Sequence, residues 1–166
     1  MRRICVCVSV LMWLLAGCSK SGEDSGASGA AAAPDDPAAL GEKIAADHAA
    51  MMEQVAELLD AGLEPAELKK KADALREKTI AIHVASGKQR QALDAAGKQK
   101  CDAALRSALF RLDRGPLKKL QTACKEIRKE DNELANELAE FNTLTQYAAF
   151  ELLKKQKPKE AERLGI

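Results

Sequence analysis

From Pro37 to Leu152 the apolar side chains recur at steps of three and four residues and almost nowhere at steps of two. That period gathers them on one stripe of an α-helix, whereas a half-buried strand needs strict alternation. The one short cluster rich in β-branched residues, Ile80 to Val84, sits inside a helical pattern. Composition points the same way. The chain holds 31 alanines among 166 residues, with 31% charged and only 3% aromatic residues, a mixture that favours helices over sheets. The length suits one domain of ordinary size and excludes a long multidomain enzyme. The formal net charge of +1 supplies no broad basic field, so nucleic acid is not an expected partner.

The periodicity divides into four helices. The first spans about 37–61, with Leu40, Ile44, His48, Met51, Val55, Leu58 and Leu59 on its stripe, Asp36-Pro37 at its start and Gly62 as its stop. The second spans about 65–86, opened by Pro65, where the missing N–H costs nothing. It carries Leu68, Ala72, Leu75, Thr79 and Ile82 on one face and Lys69 to Lys71 on the other, and Ser86-Gly87 is expected to end it. The third spans about 88–112 with Leu93, Gly97, Cys101, Leu105, Ala108 and Leu112 inward. The turn Asp113-Arg114-Gly115-Pro116 is expected to reverse the chain.

The fourth helix starts at Leu117 and carries the longest seam. Leu120, Cys124, Ile127, Asp131, Leu134, Leu138, Phe141, Thr145, Ala148 and Leu152 follow in steps of three and four. A break is expected, if anywhere, at Asn142-Thr143, where Thr143 and Gln146 have capping-box spacing. Asp131 on that seam either fixes register or marks where it turns to solvent, and Lys125 to Glu130 reads as a solvated face. Pro158 is expected to end the ordered region, leaving a tail at 158–166. The expected fold is therefore all-α: an antiparallel up-and-down bundle of about four helices over 39–157. An elongated hairpin that completes its core by dimerising is the alternative.

The N-terminus is of a different kind. Arg2 and Arg3 precede an almost wholly apolar run of 13 residues, Ile4 to Ala16. A helix needs about 20 apolar residues to cross a bilayer core, so the run has the length of a signal-peptide core instead. It ends in Leu15-Ala16-Gly17-Cys18. This tetrapeptide resembles the lipobox of bacterial lipoproteins at all four positions. The resemblance implies that residues 1–17 are a removed signal peptide and that the Cys18 thiol carries a diacylglyceryl group. The amine freed by cleavage before Cys18 would take a further acyl chain. Each buried methylene contributes about 0.8 kcal/mol, so several chains anchor stably where one does not. Under the lipoprotein sorting rule Ser19 favours the outer membrane. Lys20-Ser21, however, resembles an alternative inner-membrane retention signal. The implied location is the cell envelope, facing the periplasm, with the outer membrane favoured.

Residues 19–38 hold no bulky apolar side chain. Such a segment cannot offset its ordering entropy by burial, and together with Cys18 it is read as a flexible linker over 18–38. Twenty such residues reach about 25 Å from a membrane.

Of the five cysteines, Cys5 and Cys7 fall in the signal and Cys18 is the lipidation site. Cys101 and Cys124 remain. In an oxidising compartment a disulfide between them is the default expectation. Two buried thiols are the main alternative, and a metal or redox pair comes third. If the third and fourth helices form a hairpin, the two cysteines differ in height by about 6 Å, an awkward offset for a bridge.

No catalytic constellation stands out. There is no G-x-S-x-G, no H-E-x-x-H and no glycine-rich phosphate loop in the sequence. Enzymatic activity, a catalytic residue and a cofactor are not expected. The remaining candidates are His48 with Met51 and Met52 at steps of three and four, and His83 as a second imidazole. Thioethers with imidazole suit copper(I), or haem held between helices. The ordinary reading is a partly buried histidine among core methionines. The expected function is thus a membrane-anchored, non-enzymatic envelope lipoprotein that engages another envelope protein. The alternative is a periplasmic metal- or haem-binding four-helix protein using His48 and Met51.

Overall fold

The computed structural model describes residues 36–166. The lipobox, the signal peptide and most of the linker lie outside these residues. The helices are α1 (Pro37–Asp60), α2 (Pro65–Gln91), α3 (Ala95–Arg111), α4 (Gly115–Ile127), α5 (Asn132–Ala139), a 3-10 helix (Glu140–Ala148), α6 (Phe150–Gln156) and α7 (Pro158–Arg163). Among the described residues there is no strand, and no helix is long and apolar enough to cross a membrane.

Local chemistry sets most of the boundaries. The Asp36 carboxylate accepts from the Ala38 N–H at 2.8 Å with Pro37 following it, and Gly62 at φ +60 turns the chain out of α1. Asp94 caps α3 by accepting from Gly97 N–H at 2.7 Å. Asp131 does the same for α5 through Leu134 N–H at 2.9 Å. Asp131 is therefore neither a register-fixing seam residue nor a simple exit to solvent. It satisfies an orphan amide where a new helix begins.

The four-armed up-and-down bundle is present, but its third and fourth arms divide at a different place from the expected one. α1 and α2 form an antiparallel hairpin, with His48 opposite His83 and Leu58 sharing a cleft with Ala74 and Leu75. α3 then runs parallel to α1. Gly41 meets the backbone of Cys101 and Leu105, and further along His48 and Met52 lie beside Leu109 and Leu112. α4 continues in the same direction. Lys119 pairs with Asp60, and Ala123 and Ile127 share a cleft with Leu58 and Leu59. The turn at Asp113–Pro116 thus jogs the chain and does not reverse it. Reversal comes at Arg128–Asp131. α5, the 3-10 helix and α6 return parallel to α2, as pairs Lys69–Glu137, Arg76–Glu140 at 3.0 Å and Arg90–Glu151 at 2.9 Å show.

Two further boundaries differ from expectation. α2 does not stop at Ser86-Gly87 but continues to Gln91. Gly87 is there because the Phe150 ring lies where its β-carbon would be. Pro158 does not end the ordered chain; it opens α7, whose Ala161 is buried in the core with Leu164 and Ile166 packed against it.

The fourth arm supplies the largest core side chains. Phe141, Leu144, Tyr147, Phe150 and Leu153 are each at most 4% exposed and recur every three residues. The 3-10 helix turns in three residues, so Phe141, Leu144 and Tyr147 eclipse and make one straight ridge, which Phe150 and Leu153 of α6 extend. The expected stripe through Thr145 and Leu152 is displaced accordingly: Leu152 is among the exposed large apolar residues.

Candidate binding site between the first two helices

His48 on α1 and His83 on α2 face each other with ring centroids 6.5 Å apart and planes inclined by 39°. Helix period explains the meeting. Counting from Ala72 by alternate steps of four and three reaches Thr79, His83, Ser86 and Arg90, all buried. The same period leaves Ile82 at 37% exposure and His83 at 0%. Preference for the apolar side chain had put Ile82 inward; the geometry puts the histidine there.

Both rings are short of partners. His48 Nδ1 and both nitrogens of His83 are buried without a hydrogen bond. Each such atom costs roughly 1–3 kcal/mol. Burial pushes the His83 imidazole down to about 4, and the neighbouring His48 and Lys43 press the same way while Asp47 opposes them. Burial lowers His48 as well. Both rings are therefore neutral near pH 7.

Met52 and His48 line one cleft of about 340 Å³ with Leu109, Leu112, Leu117 and Asn142. Met51 points elsewhere, toward Leu75, Thr79 and Ile82 of α2. Sequence spacing allowed all three side chains to face one way; the structure sets His48 opposite His83, places Met52 with His48 in the cleft toward α3 and α4, and lays Met51 against α2.

Cys101 and Cys124 are free, buried thiols, and the expected disulfide is not formed. Each belongs to a separate cluster, Cys101 with Leu40 and Ile44 and Cys124 with Met51 and Val55. The reason is the parallel course of α3 and α4. Cys101 sits at the level of Gly41, and Ala123, next to Cys124, at the level of Leu59. At about 1.5 Å per residue those levels on α1 are on the order of 25 Å apart. Burial raises both thiols above their ordinary range, which makes them poor nucleophiles.

Two features escaped the sequence reading. Arg90 is 8% exposed and grips Asp102 through two bonds at 2.8 and 2.9 Å, with a third at 2.9 Å to Glu151. It ties α2, α3 and α6 together. Phe110 is 78% exposed, with the Arg114 guanidinium 5.8 Å from its ring centre. It stands next in sequence to Leu109, a wall of the His48 cleft. Among known proteins, no family model, no curated protein and no solved structure matches this chain.

Proposed function

We propose that this chain is a lipid-anchored protein of a bacterial cell envelope that presents its bundle to another envelope protein and performs no catalysis itself. The observation that carries this reading is Leu15-Ala16-Gly17-Cys18 behind Arg2-Arg3 and the apolar run Ile4 to Ala16. The spacer to Pro37 gives the bundle reach from the membrane surface. Ser19 favours the outer membrane over the inner.

Phe110 supports the choice of a protein partner. Aromatic and arginine side chains dominate the energetics of protein interfaces, and this fully displayed ring carries Arg114 over it. The anchor is tested by Cys18→Ser. Loss of the protein from the membrane fraction, with loss of the lipid mass, is the expected result; unchanged membrane association defeats the reading. The partner is tested by a photocrosslinking residue at Phe110 in cells. One discrete adduct is expected, and Phe110→Ala should weaken the complex by about 2 kcal/mol. A site that crosslinks to nothing but lipid removes the protein-partner half.

A further inference from the structure

We propose that His48 and His83 form a binding site for a soft monovalent cation, copper(I) by chemistry, held between the two imidazoles. The rings supply what such an ion requires and lack what a folded core normally requires. Three of their four nitrogens are buried with no partner, and an ion between the rings would engage one nitrogen of each. Two imidazoles that face one ion from opposite sides, with metal–nitrogen bonds near 2.0 Å and a ring radius of about 1.2 Å, have centroids about 6.4 Å apart. The observed separation is 6.5 Å.

The ligand set selects the class of ion. Among the described residues no three His, Cys, Asp or Glu side chains converge. Zinc would lack its tetrahedron and calcium its oxygens. A two-coordinate copper(I) needs only the pair, and imidazole is a ligand it accepts. A single positive charge is also less costly to bury than a double one, and the nearby Lys43 and Asp47 pair with each other at 2.7 Å. Neutral rings offer the lone pairs that the metal takes. Haem does not fit. Its plate would have to part α1 from α2, where Met51, Thr79 and Ile80 are buried.

One water bonded to both rings would span a similar gap, so the experiment must tell ion from water. Thiols bind copper(I) too, which makes total uptake uninformative. The chain has only two histidines, and NMR of isotope-labelled imidazole nitrogens therefore reports this pair alone. The full chain, in detergent and under anaerobic reducing conditions, is titrated with copper(I) past the capacity of its thiols. One nitrogen of each ring should shift, and the two should saturate together. His48→Leu, checked for retained helicity, should weaken the His83 response at least about 100-fold. If that variant unfolds, the wild-type titration decides alone. Signals that stay in place, rings that respond separately, or an equal response to zinc(II) each overturn the proposal.

Discussion

The Phe150 ring packs directly on Gly87, at a point where any β-carbon would overlap it. This contact locks α6, at the end of the fourth arm, onto α2. It also converts a residue that weakens helices into one this helix cannot replace. Gly87→Ala should gain about 1 kcal/mol of helix propensity and lose about 1–3 kcal/mol through overpacking. A net loss of roughly 1 kcal/mol in urea unfolding is the expected outcome, and Phe150→Ala in the same chain should reverse its sign. Simple stabilisation by Gly87→Ala would show that the ring does not sit there.

That contact also marks the limit of what the sequence discloses. The helical class and the first hairpin were legible, because Pro37, Gly62 and Pro65 punctuate α1 and α2 locally. Gly87 was misread as punctuation, since nothing near it in sequence announces Phe150. The direction of α4 was misread for a related reason. Asp113-Arg114-Gly115-Pro116 permits a jog as well as a reversal, and the choice rests on side chains far away, such as Asp60 opposite Lys119. His83 was legible in principle: it falls on the period of Ala72, Thr79 and Arg90, but the apolar Ile82 next to it drew the stripe. The ridge of Phe141, Leu144 and Tyr147 was not legible from an α-helical period, because it obeys a period of three.

Arg90 supports a second expectation. Its side chain is 10% exposed, whereas Asp102 and Glu151 are 34% and 55% exposed. The acids can rehydrate if the guanidinium is removed, so the loss should fall below that of a fully buried pair. Arg90→Met should destabilise by about 2 kcal/mol, and Arg90→Lys should recover only part of that, because a lysine cannot grip Asp102 with two parallel bonds. Urea unfolding of the three proteins checks the order. Full recovery by lysine would assign the effect to charge alone.

Tyr147 is the only tyrosine of the chain, so its phenol can be followed directly by absorbance. Burial, then the Glu160 carboxylate, pushes it up to about 12, and its hydroxyl donates to Glu160 at 3.2 Å. A pKa raised above the unfolded value near 10 means stability that is intact below pH 10 and lost as pH rises toward 12. Two units correspond to about 3 kcal/mol at most. The folded chain should titrate near 12 and the chain in urea near 10. A native midpoint near 10 would mean that the ring is not enclosed by the α7 fold-back. Deleting α7 from Pro158 onward should move the midpoint down.

The thiols give the final test, and it bears on topology as much as on redox state. If α3 and α4 formed an antiparallel pair, Cys101 and Cys124 would lie within about 6 Å in height, and an oxidising compartment would tend to join them. With α3 and α4 running end to end along α1, they cannot meet without unfolding, since a bridge needs α-carbons roughly 4.4–6.8 Å apart. Trypsin cuts after Lys100 and Arg106, and after Lys119 and Lys125, so each cysteine falls on its own peptide. After alkylation without reductant, both peptides should appear singly and carry the label only when the chain is unfolded first, because both thiols are buried. A cross-linked pair of these peptides from freshly isolated protein would contradict the parallel course of α3 and α4, and with it the position of the chain reversal at Arg128–Asp131.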